Sequence, residues 1–326
     1  MIVITGAAGF IGSCAAAFFN QLGRNDLILV DEFASPEKKK NLTHKKYLGW
    51  MQRDGFVSWF LHHPDNVEAV YHFGARSSTT EWDTTIFDRL NVNYSKSLWE
   101  ICTQNQIPFL YASSAATYGD GNLGYADNHQ IPFELKPLNP YGISKNEFDK
   151  WALQQTTAPP YWYGMKFFNV YGPNEYHKGR NASVVMHGFN QITQAKNGNG
   201  FIKLFKSHKE GFANGGQLRD FVYVKDIIKV CHWLLHVKRP NSGLYNLGTG
   251  HARSFEDLAK AVFAALNLPP KIEYIDMPED IRDKYQYYTQ AEMQKLQQAG
   301  YNQTFATLEN GVADYVQNYL AKGLYW

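Results

Sequence analysis

Read from the amino terminus, short β-branched and apolar runs alternate with longer segments that carry an apolar stripe at helical spacing. The runs fall at 1–5, 27–31, 67–73, 107–113 and 161–168, and the striped segments near 10–22, 84–105 and 141–157. This alternation predicts βαβ units, because an apolar strand needs helices over both of its faces, and a series of such units builds a parallel sheet. Beyond Pro173 the spacing loses its regularity, with Gly/Asn-rich stretches at 197–200 and 211–217, so a loop-rich unit is expected there. Two apolar runs, Phe221-Val222-Tyr223-Val224 and Leu244-Tyr245-Asn246-Leu247, have the make-up of strands that return to the first sheet. The expected fold class is α/β, a doubly wound parallel sheet over 1–168 and a smaller α/β substrate unit over 169–326, with segments near 219–250 handed back to the first.

Composition narrows the function more than the fold. A chain of 326 residues has room for two units of about 150. Lys and Arg number 32 against 30 Asp and Glu, for a net charge of +2, so no basic field exists to hold a polyanion, and nucleic acid is not an expected partner. No apolar stretch reaches the roughly 20 residues that cross a bilayer, so no membrane partner is expected. Met1-Ile2-Val3-Ile4 reads as a strand from the start, without a charged leader, and a cytoplasmic location is expected. Cys14, Cys102 and Cys231 are odd in number and far apart, which suits buried thiols and implies neither a disulfide framework nor a metal. The 8 Trp, 21 Tyr and 21 Phe are enough to line a pocket as well as a core.

The first strand runs into Thr5-Gly6-Ala7-Ala8-Gly9-Phe10-Ile11-Gly12 and then a helix. Three glycines at that junction, Gly6, Gly9 and Gly12, suit a tight turn, close approach of a phosphate and close helix–strand packing, and N–H groups at the helix start favour a pyrophosphate. The next strand, Leu27-Ile28-Leu29-Val30, ends in Asp31, where an acid accepts from adenosine ribose hydroxyls. Together they read as the nucleotide turn of a Rossmann sheet, with Phe10 and Ile11 beside the pyrophosphate. Asp31 and Glu32 favour NAD, since carboxylates repel a 2′-phosphate; the run Lys38-Lys39-Lys40 and Arg53 favour NADP if they fold over the adenosine end. NADP is the expected cofactor and NAD the alternative.

Tyr141-Gly142-Ile143-Ser144-Lys145 places a phenol and an ammonium at i and i+4, on one helix face. The lysine charge is expected to lower the phenol pKa and make it a usable base. Upstream, the strand Phe109-Leu110-Tyr111-Ala112 leads into Ser113-Ser114, so a serine hydroxyl can face the same crevice. With the glycine turn at these intervals, the chain resembles the short-chain dehydrogenase/reductase superfamily in its extended, nucleotide-sugar-modifying branch, the NAD-dependent epimerases and dehydratases. Phe73-Gly74-Ala75, Asn91, Arg219-Asp220-Phe221-Val222-Tyr223-Val224-Lys225-Asp226 and Asn246-Leu247-Gly248-Thr249-Gly250 resemble it too, so the likeness covers essentially the whole chain. Dehydratases of that branch carry an Asp-Glu pair after the catalytic hydroxyl residue; Ala115 and Ala116 stand there, which disfavours dehydration.

Two further runs, Ser77-Ser78-Thr79-Thr80-Glu81-Trp82-Asp83 and Phe167-Phe168-Asn169-Val170-Tyr171-Gly172-Pro173-Asn174-Glu175-Tyr176-His177-Lys178-Gly179, are similar to the ADP-heptose 6-epimerases within the branch. That resemblance implies an isomerase that oxidises carbon six of an ADP-linked heptose and reduces it from the other side, for lipopolysaccharide inner core. It implies Tyr141 and Lys178 as two bases, Ser114 on the reacting oxygen and Lys145 on the nicotinamide ribose. Phe73, Gly74, Ala75, Ser77, Asn91 and Val170 would join the cofactor set, with Lys145 and Lys178. Asn169, Arg180, His187, Phe205, Lys206, Ser207, His208, Arg219 and Tyr285 match positions that contact the ADP-sugar, with Arg219 suited to the diphosphate. Arg180 stands where a small residue is more usual, and the 208–218 loop is longer and richer in glycine than the family pattern. His177 reads as a loop histidine with its own hydrogen bond. Members assemble as homo-oligomers, usually pentamers. The nearest rival is a UDP-hexose 4-epimerase, which needs no base at Lys178; a noncatalytic cofactor-sensing scaffold would not keep Ser114, Tyr141 and Lys145 together.

Overall fold

A computed structural model of the chain describes residues 1–79, 81–195, 200–282 and 285–326. Thr80 of the Ser77–Asp83 run and residues 197–199 of the Gly/Asn-rich stretch lie outside the described residues. The first half winds as β1 (Ile2–Thr5), α1 (Phe10–Gln21), β2 (Leu27–Asp31), α2 (Pro36–Lys40), β3 (Gly49–Gln52), α3 (Arg53–His62) and β4 (Ala69–His72). It continues through α4 (Thr84–Phe87), a π-helical turn Asp88–Asn93, α5 (Tyr94–Gln104), β5 (Phe109–Ser114), α6 (Pro140–Gln154) and β6 (Trp162–Phe167). The strands form a seven-stranded sheet with Gly243–Leu247 at one edge and the order 243–247, β6, β5, β4, β1, β2, β3, every pairing parallel.

Alternation along the strands sorts the core onto two faces. Ile2 and Ile4 of β1 join Leu27, Leu29 and Tyr71 on the face covered by α1, while Val3 joins Ile28, Val30 and Val70 on the other. On that second face Trp99 meets Phe109, Phe148, Trp151 and Trp162, with ring centroids 5.0–6.2 Å apart. Much of the aromatic surplus is therefore core.

The second half is less regular in its pairing. Gly243–Leu247 joins the large sheet, but Phe221–Tyr223 does not: it pairs in parallel with Asn169–Tyr171 in a sheet of two strands. The expectation for 221–224 is corrected: its strand partner is 169–171, the stretch that follows β6, and not a strand of the large sheet. β3 and α3 escape the periodicity because β3 alternates half-buried and exposed positions at the open edge, and Trp50 there is 55% exposed. All three cysteines are buried and free. Among the described residues no helix is long and apolar enough to cross a membrane.

Candidate active site

The strand order reverses at β1 and β4, and a cleft of about 710 Å³ opens where their carboxyl ends diverge. Gly6 turns the chain out of β1 at φ +65°, and a Cβ there would lie 2.6 Å from the Gly74 nitrogen that follows β4. At Gly12 a Cβ would lie 2.2 Å from the Gly6 carbonyl, so α1 can only start this close to the strand without a side chain. Gly9 is the N-cap of α1 and offers no side-chain cap. The amides of that first turn are thus left for an external acceptor, a cradle that fits a dinucleotide pyrophosphate.

Asp31, buried at the end of β2, receives Ala8 N–H at 2.9 Å, Glu32 N–H at 2.7 Å and the Lys38 ammonium at 2.7 Å. Its carboxylate is neutralised and turned toward the glycine turn. Lys38 is brought there by α2, capped by Ser35 and started by Pro36. Arg53 and Glu32 line the same end of the cleft, and Arg53 is paired with Asp54 at 2.8 Å.

Opposite the turn stand Ser114, Tyr141 and Lys145, all lining the cleft. Asn139 caps α6 by accepting Gly142 N–H at 2.8 Å, which sets Tyr141 in the first turn and Lys145 one turn on. The Ser114 side chain is near enough to the Tyr141 phenol to favour its ionised form. Its pKa runs against the expectation from spacing: burial pushes it above the usual phenol value, and the counter-pull comes from Ser114, not from Lys145. Lys145 is itself buried, donates to the Ala112 carbonyl at 2.7 Å and is drawn down to about 8 by desolvation, with Asp149 pulling upward.

Asp149 is completely buried one further turn along α6 and accepts from Tyr111 at 2.9 Å, Ser113 at 2.6 Å and the buried Lys166 ammonium at 2.7 Å. This ion pair behind the β5 strand end was not found from the sequence; Lys145 and Asp149 at i and i+4 were the available signal.

Lys178 enters the cleft from a different element, the short turn Tyr176–Asn181. Its ammonium lies 3.6 Å from the buried Glu175 carboxylate and 4.9 Å from the centre of the Phe10 ring. Glu175 is held by Gly172 N–H at 3.1 Å and Ser183 N–H at 2.7 Å, so it anchors the turn. His177 lines the cleft too; burial and then the Lys38 and Lys178 charges draw it down to about 4, and its Nδ1 lies 3.1 Å from the Asn41 amide. A neutral imidazole with its own partner fits the reading of a loop histidine.

Phe10, Ile11, Phe73, Gly74, Ala75, Ser77 and Val170 all line the cleft, but Asn91 does not. Asn91 is buried behind it, holding Arg76 through both backbone groups, at 2.8 and 2.9 Å, and Ser144 at 2.9 Å. None of Asn169, Arg180, His187, Phe205, Lys206, Ser207, His208, Arg219 and Tyr285 lines the cleft either. Four of them gather elsewhere: Arg219 lies 5.2 Å over the Tyr285 ring, Tyr285 meets Phe205 at 6.1 Å, and His208 N–H donates to Tyr287, a neighbour of Tyr285. Arg219 is 7% exposed, donates to the Leu218 and Gln286 carbonyls, and meets no carboxylate among the described residues. His187 contacts the Arg180 carbonyl at 3.3 Å, and Lys206 pairs with Asp276 at 3.1 Å. Asn169 is exposed on its strand. Arg76, Ile86, Arg89, Leu90 and Tyr94 line the cleft without having been singled out in the sequence. They come from the 84–104 helix and the loop before it, where Ile86, Leu90 and Tyr94 at i, i+4 and i+8 read as a stripe that faces the core.

With this geometry in view, the model of the NAD dependent epimerase/dehydratase family matches residues 2–248. The chain belongs to that family. A curated relative from Fusobacterium nucleatum, named ADP-L-glycero-D-manno-heptose-6-epimerase, is 48% identical over 99% of this chain and 98% of its own. The crystal structure of the Helicobacter pylori protein of the same name superposes with a TM-score of 0.77 at 28% identity, covering 97% of this chain and 95% of that one. UDP-glucose 4-epimerase from Thermus thermophilus, solved with NAD, gives the same TM-score at 23% identity over 97% of each chain, a likeness of fold alone. Membership makes the chain an isomerase of the epimerase kind that works with a nicotinamide cofactor.

Proposed function

We propose that the chain interconverts ADP-D-glycero-D-manno-heptose and ADP-L-glycero-D-manno-heptose at carbon six with a retained NADP, and so supplies the heptose of lipopolysaccharide inner core. The observation that carries this reading is that a phenol and an ammonium enter one cleft from two different elements, Tyr141 from α6 and Lys178 from the turn Tyr176–Asn181 beside Phe10. When bound, the nicotinamide supplies an acceptor for the carbon-six hydride and returns it. Inversion then requires the exocyclic oxygen to point two ways in turn, and a proton-exchanging group in each direction answers that need: Tyr141 for one epimer and Lys178 for the other. Ser114 holds the reacting oxygen beside Tyr141, and Lys145 orients the cofactor ribose.

Gly6, Gly9, Phe10, Ile11 and Gly12 hold the pyrophosphate in this reading, and Phe73, Gly74, Ala75, Ser77 and Val170 wall the rest of the cofactor site. The Lys38–Asp31 contact supports NADP, because the carboxylate that would repel a 2′-phosphate is already matched by an ammonium, with Arg53 alongside. The ADP-sugar reaches outward to Asn169, Arg180, His187, Phe205, Lys206, Ser207, His208 and Tyr285, with the buried Arg219 on the diphosphate. The proposed division is 1–168 for the cofactor and 169–326 mainly for the sugar nucleotide, in a cytoplasmic homo-oligomer, pentameric by family resemblance.

The test is to incubate the purified protein with ADP-D-glycero-D-manno-heptose, without added cofactor, and follow the epimer ratio by NMR. Conversion toward a mixture is expected. No conversion, with turnover of a UDP-hexose at its carbon four, would replace this reading by the 4-epimerase one.

A further inference from the structure

One buried histidine that the roles above leave unused joins the two sides of the cleft. His72 ends β4, directly opposite Thr5 in the β1 register, and is 2% exposed. Its Nδ1 lies 2.6 Å from the Thr5 hydroxyl and its Nε2 lies 2.8 Å from the Ser95 hydroxyl. Hydrogen-bond accounting orders these contacts. Ser95 has one hydroxyl proton, and it goes to the Asn91 carbonyl at 2.6 Å, which can only accept. Ser95 therefore receives from His72, and the proton of the ring sits on Nε2.

Burial, followed by the Lys145 charge, holds His72 neutral by drawing its pKa down to about 3, and its ring lies 5.8 Å from that of Tyr94 and 5.9 Å from that of Phe109. A neutral ring has one N–H, so Nδ1 accepts from Thr5, and the Thr5 oxygen is left to accept Gly74 N–H at 3.2 Å. The line runs on from Asn91, whose amide donates to Ser144 at 2.9 Å, and Ser144 donates to the Tyr141 carbonyl at 2.8 Å. Every proton in it has one direction, from Gly74 beside the glycine turn to the turn of α6 that carries Tyr141.

We propose that His72 is a positioning residue: fixed as the Nε2–H tautomer, it sets the dinucleotide turn at Thr5–Gly6 against the first turn of the Tyr141–Lys145 helix. The proposal rests on the reading of that turn and helix as cofactor cradle and proton-exchanging face. Only this tautomer satisfies both neighbours. A proton on Nδ1 would leave Thr5 with two donors pointing at it and its own proton without an acceptor, and would face Ser95 with a bare nitrogen. Glutamine at 72 carries its amide one atom beyond Cγ, so its nitrogen can reach Ser95 while nothing polar stands in the Nδ1 position that faces Thr5, whereas phenylalanine loses both partners.

The test uses the full-length protein labelled with ¹⁵N-histidine. The resonances that disappear in His72→Gln are expected to show a protonated Nε2 and a bare Nδ1, unchanged between about pH 8 and about pH 5, where an ordinary imidazole titrates near 6.5. A protonated Nδ1, or titration near the ordinary value, would overturn the proposal. Hydrogen exchange is then compared in His72→Phe and His72→Gln. In the phenylalanine variant, exchange is expected to rise about ten-fold in both 5–12 and 141–147 while strand 49–52 stays unchanged, with 141–147 partly protected again in the glutamine variant. A rise in one segment only, or a uniform rise across the sheet, counts against the coupling; should His72→Phe fail to fold, the glutamine variant must still loosen 5–12. In turnover, His72→Gln is expected to lower kcat with substrate KM unchanged. If the wild-type protein converts no ADP-heptose, the epimerase reading fails while the tautomer and exchange measurements still decide the role of His72.

Discussion

The glycine-turn side of the molecule and the Arg219 side are held by different means. On the first, backbone meets backbone: Gly6 lies against Gly74, Gly12 against the Gly6 carbonyl, and the strands beneath are paired on both sides. On the second, a buried guanidinium is stacked on Tyr285 and Phe255 and donates to two carbonyls, on loops supported by strand pairs of two to four residues. Backbone packed on backbone is the part of the fold that tolerates least change, and its free helix-start amides suit a pyrophosphate, a ligand part common to many enzymes. Side chains on short supports can change shape without disturbing the sheet, which suits such a region to the variable part of a ligand.

The largest expected effect breaks the chemistry and leaves both sides standing. Tyr141→Phe should lower turnover by about 10²–10⁴-fold with cofactor content of the purified protein unchanged, as read by NMR conversion and by absorbance of the released nucleotide. Next comes the support behind the cofactor side. Asp149→Ala leaves the buried Lys166 without its carboxylate and Tyr111 and Ser113 without an acceptor, and should cost about 3–5 kcal/mol in urea unfolding. On the sugar side, Arg219→Met should raise the substrate KM about 10–100-fold, the loss of charge-assisted hydrogen bonds, and cost about 1–3 kcal/mol in urea unfolding as the Leu218 and Gln286 carbonyls lose their donor, while cofactor content stays near wild type. A fall in cofactor content in that variant would show that the two sides are not separable.

Acid should weaken the cofactor side through its buried imidazoles. His72 is held neutral in the folded chain down to about pH 3 but binds a proton near 6.5 when unfolded. The unfolded state then carries more protons, so stability falls as pH drops below about 6.5, by about 1.4 kcal/mol per pH unit for His72. His177, drawn down to about 4, adds to the same trend. Urea midpoints that stay flat between pH 7 and about pH 5 would contradict this. The smallest effect belongs to the surface: Arg253→Ala removes contacts to Asp257 and Glu309 and should cost no more than about 1 kcal/mol, since the arginine is 35% exposed.

Reading the chain anticipated the turn after β1 and the helix of Tyr141 and Lys145 because their signals are local. A glycine turn must follow a strand, and Tyr141 and Lys145 must share a helix face, whatever the rest of the molecule does. The ammonium of Lys178 was reached through a family likeness, and the fold brings it to the cleft on a turn anchored by Glu175. Asn91 was assigned to the cofactor but serves behind the wall, because a motif position does not reveal which way a buried amide points. The expected drop in the Tyr141 pKa failed for a related reason: helical spacing brings Lys145 near, but burial of the phenol and the lysine outweighs that nearness. β3 was missed since an edge strand need not be apolar on either face.

What the amino-acid sequence determined by itself is the parallel α/β sheet, the turn at Gly6, Gly9 and Gly12, and the helix that presents Tyr141 and Lys145, since each is signalled by a pattern of residues near in the chain. Only the tertiary structure decided that Lys38 neutralises Asp31, that Asp149 pairs with Lys166 behind β5, that Arg219 is buried away from any described carboxylate, and that His72 joins the turn to the helix. Apart from Lys38–Asp31, those contacts join residues far apart in the chain, and all depend on where burial removes water, and the order of residue types does not state either.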